Sequence, residues 1–220
     1  MWFEHNKHSS QTRAAILGGF PSLMSEDVEL ALRHIGKSKH KVHCDHSYSS
    51  FSDSHKVKIP YRVYFPPVSP QNIKRLPELQ RAIVASIMSR HHDGLQREIW
   101  IRELCQYPAG WAVPYIAYAL GDYVVEVVSA IEVSMSLAWI ELFHSFKTDL
   151  YIDSFSLSQR IFTYWAIYYG SGGRRYIWLE DHSSYRVANT LGVWDKRVGR
   201  QIIRKHNKRA QNSTDHLKGS

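Results

Sequence analysis

The apolar stretch WAVPYIAYALGDYVVEVVSAIEVSMSLAWIELFHSFK, Trp111 to Lys147, decides the fold. Its polar residues recur every three or four positions, which predicts a narrow polar stripe on a helix. The stripe is Asp122, Glu126, Ser129, Glu132 and Ser136, and the residues predicted to face inward are Val124, Val127, Val128, Ile131 and Ala138. The valines suit a strand, but the pattern is longer than a strand, so helix is favoured. Gly121 and a position near Ser134 predict breaks between successive helices.

A helix as apolar as this one needs neighbours on several sides, which places the stretch in the middle of a helical stack. The composition agrees with a globular chain that buries a core, because 44% of the 220 residues are hydrophobic and 22% are charged. Only Cys44 and Cys105 are present, so a disulfide framework is excluded and a reducing compartment is predicted.

The net charge of +8 favours polyanionic partners such as nucleic acid, an acidic membrane surface or an acidic protein. The first five residues, MWFEH, do not have the pattern of a secretory signal. Carboxylates interrupt the central apolar stretch and would be costly in the middle of a bilayer. We therefore expect a soluble, cytoplasmic protein with no membrane span.

Residues 1–70 are predicted to form an N-terminal α/β appendage and a linker. Ser25 has the position of an N-cap, and the apolar repeat that follows it ends at Gly36. Residues 56–65 alternate apolar and polar side chains, which predicts a strand confined to an edge by Pro60. Residues 40–46 are a candidate pairing partner for that strand.

Residues 71–192 are predicted to form a domain of helical hairpins, with helices of about a dozen residues separated by proline and glycine. Pro77 suits a first helical turn. Asp93 with Gln96, and Ser156 with Gln159, have the spacing of a capping box. Residues 193–220 are predicted to be a basic helix followed by a disordered tail. The fold class is therefore mainly α, an irregular stack of helical hairpins with a small N-terminal β element.

Several landmarks recur in the order that a group of uncharacterised bacterial proteins with a HEAT-like, helical-hairpin appearance shows. They are Ile59 to Tyr64, Arg90 to Gly94 with Arg97, Trp111 with Val113 and Pro114, Gly121 to Glu126, and Arg160 with Tyr164, Trp165, Tyr168 and Tyr169. The chain resembles that group over roughly residues 55–190. The resemblance implies a HEAT-like fold, and because the group has no assigned activity it implies no mechanism.

The basic C-terminal segment is the clearest surface signal. Its cations are Lys196, Arg197, Arg200, Arg204, Lys205, Lys208 and Arg209, opposed only by Asp195. Its apolar side carries Trp194, Val198, Ile202 and Ile203. A helix with this pattern docks its apolar side on the body and presents its cations to phosphates or to an anionic membrane. The alternative is a helix that serves only solubility.

His92 and Asp93 resemble the metal-binding dyad of HD-type phosphohydrolases, which would need further ligands such as His55 and either Asp149 or Asp153. The alternative is that Asp93 serves only as a helix cap.

Two other segments contain residue types that bind metal ions or phosphate. The loop with His40, His43, Cys44 and His46 is a candidate for transient metal binding, and Gly170 to Arg175 (GSGGRR) is a candidate phosphate loop. A solvated loop and a flexible connector are the alternatives.

The central stretch has three carboxylates that could serve general acid–base chemistry. They are Asp122, Glu126 and Glu132. The alternative is an ion-paired helix face neutralised by Arg97, Arg102 or Arg160.

From the sequence we expect a non-catalytic interaction or adaptor protein of unknown protein partner, with no cofactor. Its partners would be engaged by aromatic and arginine side chains on the helical stack. The alternative is a sequence-nonspecific nucleic-acid binder acting through the basic C-terminal helix. A third hypothesis is a metal-dependent phosphohydrolase that uses His92 and Asp93.

Overall fold

The computed structural model describes residues 9–42, 47–52, 55–145, 154–170, 179–198 and 200. The chain is mainly α-helical, as predicted. The helices are α1 Ser10–Leu17, α2 Ser25–Leu32, α3 Pro70–Ile73, α4 Glu78–Met88, α5 Gly94–Leu104, α6 Val113–Ala119, α7 Val125–Ser134, α8 Leu137–Ser145, α9 Ser154–Gly170 and α10 Ser183–Thr190. Short 3-10 turns lie at Ser22–Met24, Gly110–Ala112 and Leu179–Asp181.

The helices pack in a series. Helix α4 contacts both α2 and α5, and α7 contacts both α5 and α10. Helix α5 therefore lies between α4 and α7 in the order α2, α4, α5, α7, α10. One hydrophobic core contains side chains from Ala15 to Val193.

The central stretch is broken where the sequence predicted. Helix α6 ends at Ala119 and α7 begins at Val125, on either side of Gly121, and α7 ends at Ser134. The inward positions Val127, Val128 and Ile131 are buried. The prediction for Ala138 is wrong, since Ala138 is exposed. Met135 leaves the helical conformation with φ −68° and ψ 118°, so the periodicity of α7 does not continue into α8.

Two strands, β1 (Ser47–Ser52) and β2 (His55–Pro60), form an antiparallel hairpin. Its register pairs Tyr48 with Ile59 and Ser50 with Val57. Two sequence-based expectations were wrong here. Residues 47–52, and not 40–46, pair with β2, and the strand predicted over residues 56–65 ends at Pro60, which has no N–H to continue a ladder. Residues 43–46 lie outside the described part of the chain.

Residues 61–65 continue beyond β2 and attach to the connection between α4 and α5. Val63 forms a parallel bridge with His91. The amide of Val63 donates to the carbonyl of Arg90 at 2.8 Å, and the amide of His92 donates to the carbonyl of Val63 at 3.0 Å. Val63 and Phe65 are buried, as the alternation predicted, whereas Tyr61 is 38% exposed.

The predicted helix caps are partly corrected. Asp93 does cap α5, because its carboxylate accepts a 2.9 Å hydrogen bond from the amide of Leu95. The capping box is not closed by Gln96, since the amide of Asp93 donates instead to Nδ1 of His91 at 3.1 Å. Ser25 is the first residue of α2 and its hydroxyl donates to the carbonyl of Ser22, so it is not the N-cap. Ser156 lies inside α9, two residues after its start, so it is not a cap either.

Helix α10 ends in a motif that fixes the path of the following chain. Gly192 has φ 71°, and its amide donates to the carbonyl of Asn189 at 3.1 Å. The amide of Val193 donates to the carbonyl of Ala188 at 2.9 Å. These two bonds form a Schellman motif, which requires a left-handed residue that glycine supplies without strain. The chain is thereby turned so that Val193 and Val198 are buried.

Within the described ranges, no helix combines the length and the apolar character that crossing a bilayer requires.

Candidate functional site: the Arg97 cluster and the surface above it

A buried ion pair joins the middle helix of the series to the connection between α6 and α7. Arg97 on α5 is fully buried, and Asp122 in that connection is 5% exposed. Nε of Arg97 donates to Oδ2 of Asp122 and Nη2 donates to Oδ1, both at 2.8 Å. This two-bond geometry fixes the orientation of both side chains.

The remaining polar atoms of the pair bind backbone groups. Nη1 of Arg97 donates to the carbonyls of His91 and His92, each at 2.9 Å. Oδ1 of Asp122 also accepts from the amide of Val124 at 3.0 Å. Burial by itself raises the pKa of the Asp122 carboxyl, but the hydrogen bonds and charge of Arg97 outweigh burial, so the pKa lies below its ordinary value. Asp122 therefore stays ionised at neutral pH.

His91 attaches residues 61–65 to the same cluster. Its Nδ1 accepts from the amide of Asp93, so in the neutral ring the proton is on Nε2, which donates to the carbonyl of Phe65 at 2.8 Å. Burial lowers the pKa of His91, and the charge of His92 lowers it further, against the raising effect of its bond to Phe65. His91 thus acts as a neutral structural link between two segments.

Two further arginines converge on the backbone of residues 60–61. The carbonyl of Tyr61 accepts from Nη1 of Arg62 at 2.9 Å and from Nη2 of Arg90 at 3.0 Å. Nε of Arg90 donates to the carbonyl of Pro60 at 3.3 Å. Nη2 of Arg62 also reaches Oδ2 of Asp122, at the longer distance of 3.3 Å. Three guanidinium groups are therefore gathered around this backbone and the Asp122 carboxylate.

Aromatic rings cover the arginines on the outer side. The guanidinium of Arg62 lies 4.4 Å from the ring centre of Tyr61 and 5.9 Å from that of Tyr123. Tyr123 is 44% exposed and its ring centre lies 6.0 Å from that of Tyr164. The guanidinium of Arg160 lies against Gly121, within 3.0 Å of where a β-carbon would be. We call these five residues the Tyr–Arg surface: Tyr61, Arg62, Tyr123, Arg160 and Tyr164.

The three carboxylates predicted to share one helical face occupy different environments. Asp122 precedes α7 and is buried, so the prediction that it lies on the polar face of one helix with Glu126 and Glu132 is wrong. Glu126 is exposed in the first turn of α7. Glu132 accepts hydrogen bonds of 2.6 and 2.8 Å from Arg186, which lower the pKa of its carboxyl.

The arginines predicted to neutralise these carboxylates also take separate partners. Arg97 does pair with Asp122. Arg102 pairs with Glu98 at 2.9 Å, four residues earlier on α5, and not with a carboxylate of the central stretch. Arg160 contributes to the Tyr–Arg surface through its contact with Gly121.

The proposed dyad of His92 and Asp93 has other contacts in the structure. The His92 ring stacks on the ring of Tyr64 with centres 5.1 Å apart, and Asp93 caps α5. Of the further ligands considered, His55 is the first residue of β2, while Asp149 and Asp153 lie outside the described ranges. Among the residues that the structure describes, no group of three or more His, Cys, Asp or Glu side chains is arranged to hold a metal ion. The phosphohydrolase hypothesis stays a prediction.

Two other candidate segments lie largely outside the described residues. His40 contacts the ring of Tyr64 edge-on at 5.2 Å, but His43, Cys44 and His46 are not described. Helix α9 runs to Gly170, the first residue of the candidate phosphate loop, and residues 171–175 are not described.

The start of the basic segment is placed as its pattern predicted. Lys196, Arg197 and Arg200 are exposed, whereas Val198 is 2% exposed. The Trp194 ring meets the ring of Tyr185 edge-on at 5.0 Å, so the apolar side faces the body of the protein. Arg197 pairs with Asp195 at 2.5 Å. The remaining cations, Arg204, Lys205, Lys208 and Arg209, lie outside the described residues.

Sequence reasoning did not identify Tyr61, Arg62 and Tyr123 as parts of one surface. Tyr61 and Arg62 were assigned to the strand that the structure ends at Pro60. The signal that was available is Pro60 itself, because a chain that leaves a strand no longer alternates its side chains between two faces.

Compared with known protein families, curated proteins and solved structures, the chain matches none of them.

Proposed function

We propose that this chain is a non-catalytic interaction module, an adaptor built on a HEAT-like stack of helical hairpins with a small N-terminal β element. The packing order α2, α4, α5, α7, α10 supports the stack, because each helix contacts its neighbours in the series. The hairpin of β1 and β2 is the β element of this proposal.

The Tyr–Arg surface is the observation that carries the proposal. It brings together residues 61–62, residue 123 and residues 160–164, which are distant in sequence, beside a buried ion pair that holds the backbone of His91, His92 and Val124. Tyrosine and arginine are the residue types, with tryptophan, that contribute most to binding free energy at protein interfaces. A rigid support lowers the entropy lost when a partner binds.

The ionisation of three carboxylates argues against a general-acid role for each of them. Asp122, Glu132 and Asp195 have pKa values below the ordinary range because arginines donate hydrogen bonds to each of them, although burial opposes the effect at Asp122. A general acid that works near neutral pH needs a raised pKa. These three carboxylates are therefore suited to structural ion pairs.

Site-specific photo-crosslinking tests the interaction module. A benzophenone amino acid replaces Tyr123 in the full-length protein, and in a second variant it replaces Leu23, which is 91% exposed and lies outside the Tyr–Arg surface. Irradiation in the source cells should give a discrete protein adduct from position 123 and none from position 23. Absence of an adduct at position 123, or the same adducts from both positions, would contradict the proposal.

The basic C-terminal segment supports a second candidate, nonspecific nucleic-acid binding. Lys196 and Arg200 are exposed while Val198 is buried, so the described start of the segment is anchored with these cations outward. Replacing Lys196 and Arg200 together by glutamine removes charge and keeps the buried Val198, which a truncation would remove. If this candidate is right, duplex and single-stranded DNA bind the natural chain, binding weakens steeply with salt, and the double variant has a shallower salt dependence. Binding that does not change in the double variant would contradict it.

A further inference from the structure

We infer that the Tyr–Arg surface docks a protein partner through an acidic side chain, whose carboxylate accepts hydrogen bonds from Arg62 between the rings of Tyr61 and Tyr123. This inference rests on the proposed interaction function and adds the chemistry of the partner.

The guanidinium groups around the Tyr61 carbonyl and the Asp122 carboxylate favour a further anion. The guanidinium groups of Arg62 and Arg90 converge on one acceptor, the carbonyl of Tyr61, at 2.9 and 3.0 Å. Arg97 and Arg62 both bind the Asp122 carboxylate. Like charges at such separations repel, most strongly where water is excluded, so an additional carboxylate at this point lowers the electrostatic energy.

Arg62 has the capacity to bind that carboxylate. A guanidinium has five N–H donors, and within the described ranges Arg62 donates to the carbonyl of Tyr61 and, at 3.3 Å, to Asp122. The oxygens of Asp122 already accept shorter bonds from Arg97 and Val124. Arg62 therefore has N–H groups that can donate to a second carboxylate. In Arg97, by contrast, Nε and both terminal nitrogens already donate to groups inside the protein.

The position of Arg62 makes the contact both reachable and protected. Its side chain is 10% exposed and lies beside the rings of Tyr61 and Tyr123, which are 38% and 44% exposed. A partner carboxylate that enters between the rings loses contact with water, and an ion pair shielded in this way is stronger than one at an open surface. Rings that exclude water around a central charged contact are typical of protein hot spots.

A protein partner fits better than a nucleic acid. The Tyr–Arg surface contains two arginines and three tyrosines, a mixture enriched at protein interfaces. Nucleic-acid sites are much more strongly basic and neutralise a series of phosphates. The chain has its run of exposed cations elsewhere, beginning at Lys196.

Fluorescence anisotropy with defined peptides tests the inference on the full-length protein. The probes are a labelled peptide of alternating glutamate and phenylalanine, the same peptide with glutamine for glutamate, and a single-stranded oligonucleotide. We expect the glutamate peptide to bind and the glutamine peptide to bind at least about tenfold more weakly, as expected for loss of a buried charged hydrogen bond.

Three variants locate the binding. Arg62→Gln should weaken the glutamate peptide by about tenfold or more, because it removes the guanidinium. Tyr61→Ser removes an exposed ring and should also weaken peptide binding. The test therefore does not depend on Arg62→Gln alone. Thermal unfolding checks that both variants are folded. Arg75→Gln is the matched control. Arg75 is an exposed arginine outside both the Tyr–Arg surface and the basic C-terminal segment, so the change should leave peptide binding unchanged.

The inference is overturned if the glutamate peptide does not bind, if Arg62→Gln binds it as tightly as the natural chain does, or if the oligonucleotide binds at Arg62 more tightly than the peptide. These failures are distinguishable from failure of the proposed function. A photo-crosslinked adduct at position 123 that persists in Arg62→Gln means that the module binds a partner without an acidic contact.

Discussion

Arg97 and Asp122 lie 25 positions apart in the chain and share two hydrogen bonds of 2.8 Å in the interior of the protein. The pair connects α5 with the turn that precedes α7, and Arg97 continues to the carbonyls of His91 and His92. It therefore holds three backbone segments, and these segments support the Tyr–Arg surface.

Removal of one partner should be strongly destabilising. Arg97→Gln removes both 2.8 Å hydrogen bonds to the buried Asp122 carboxylate and leaves it only the 3.3 Å contact with Arg62, so the free energy of unfolding should fall by about 3–5 kcal/mol. Urea denaturation measures this change. The control is Arg102→Gln on the same helix, where the ion pair with Glu98 is exposed and the loss should be about 0.5 kcal/mol or less.

Removal of both partners should cost less than the two single changes added together. In Arg97→Met with Asp122→Leu both charges of the 2.8 Å pair are removed together, and only the longer 3.3 Å contact of Arg62 is lost with them. The two changes should therefore be coupled by more than about 1 kcal/mol in a double-mutant cycle. Additive losses would show that the two side chains stabilise the fold independently, which would contradict their two shared hydrogen bonds of 2.8 Å.

His182 should make stability depend on pH. It caps α10 through Nδ1, and burial followed by the charge of Arg186 lowers its pKa to about 4, partly opposed by Glu132. An unfolded histidine binds its proton near pH 6.5, so between about pH 6.5 and 4 unfolding takes up a proton. The contribution of neutral His182 to the free energy of unfolding is therefore complete above about pH 6.5, and it is lost as the pH falls towards about 4.

The variant His182→Asn isolates this effect, because asparagine also caps a helix and does not titrate. Between about pH 4.5 and 6.5, the free energy of unfolding should fall less steeply on acidification in the variant than in the natural chain, by up to about 1.4 kcal/mol per pH unit. Chemical denaturation at several pH values gives both slopes. Equal slopes would mean that the pKa of His182 is the same in the folded and the unfolded protein.

Gly192 should tolerate a side chain poorly. With φ at 71°, Gly192→Ala forces an alanine into the left-handed region, which should cost about 1–2 kcal/mol. Gly18, which follows α1 with φ −63°, is the matched control, and Gly18→Ala should be neutral or slightly stabilising. Thermal unfolding of the two variants gives the comparison, and equal effects would be inconsistent with the Schellman geometry.

Cys105 should resist alkylation in the folded protein. Burial raises the pKa of its thiol to about 12, partly opposed by the charge of Arg102, so the reactive thiolate is scarce at pH 8. In a Cys44→Ser variant, the remaining thiol should react with iodoacetamide far more slowly in buffer than in denaturant. Mass spectrometry follows the labelling. Fast labelling of the folded variant would show that this part of the core opens readily.

Local patterns in the sequence were sufficient for much of the helical architecture. The breaks on either side of α7 follow from Gly121 and the polar residues near Ser134, and the cap at Asp93 and the pair of Glu98 with Arg102 each depend on residues a few positions apart. Such features are set by backbone conformation and helix geometry, so a single segment of sequence contains the information.

The candidate surface depends on contacts between distant segments, which local patterns do not encode. Arg97 was expected to neutralise a central carboxylate, but not to be fully buried with Asp122. Tyr61 and Tyr123 come together only because residues 61–65 leave β2 and attach to His91. Tertiary packing decides both outcomes, and the apolar alternation of residues 56–65 pointed to a longer strand.

The most direct test of the docking account is NMR of the arginine Nε–H groups during titration of the full-length protein with the alternating glutamate peptide. The account predicts a saturable chemical-shift change at Arg62, with a much smaller change at Arg97, whose Nε is already bonded to Asp122, and none at Arg200. Shifts confined to Arg200 and the neighbouring basic residues, with Arg62 unmoved, would contradict it.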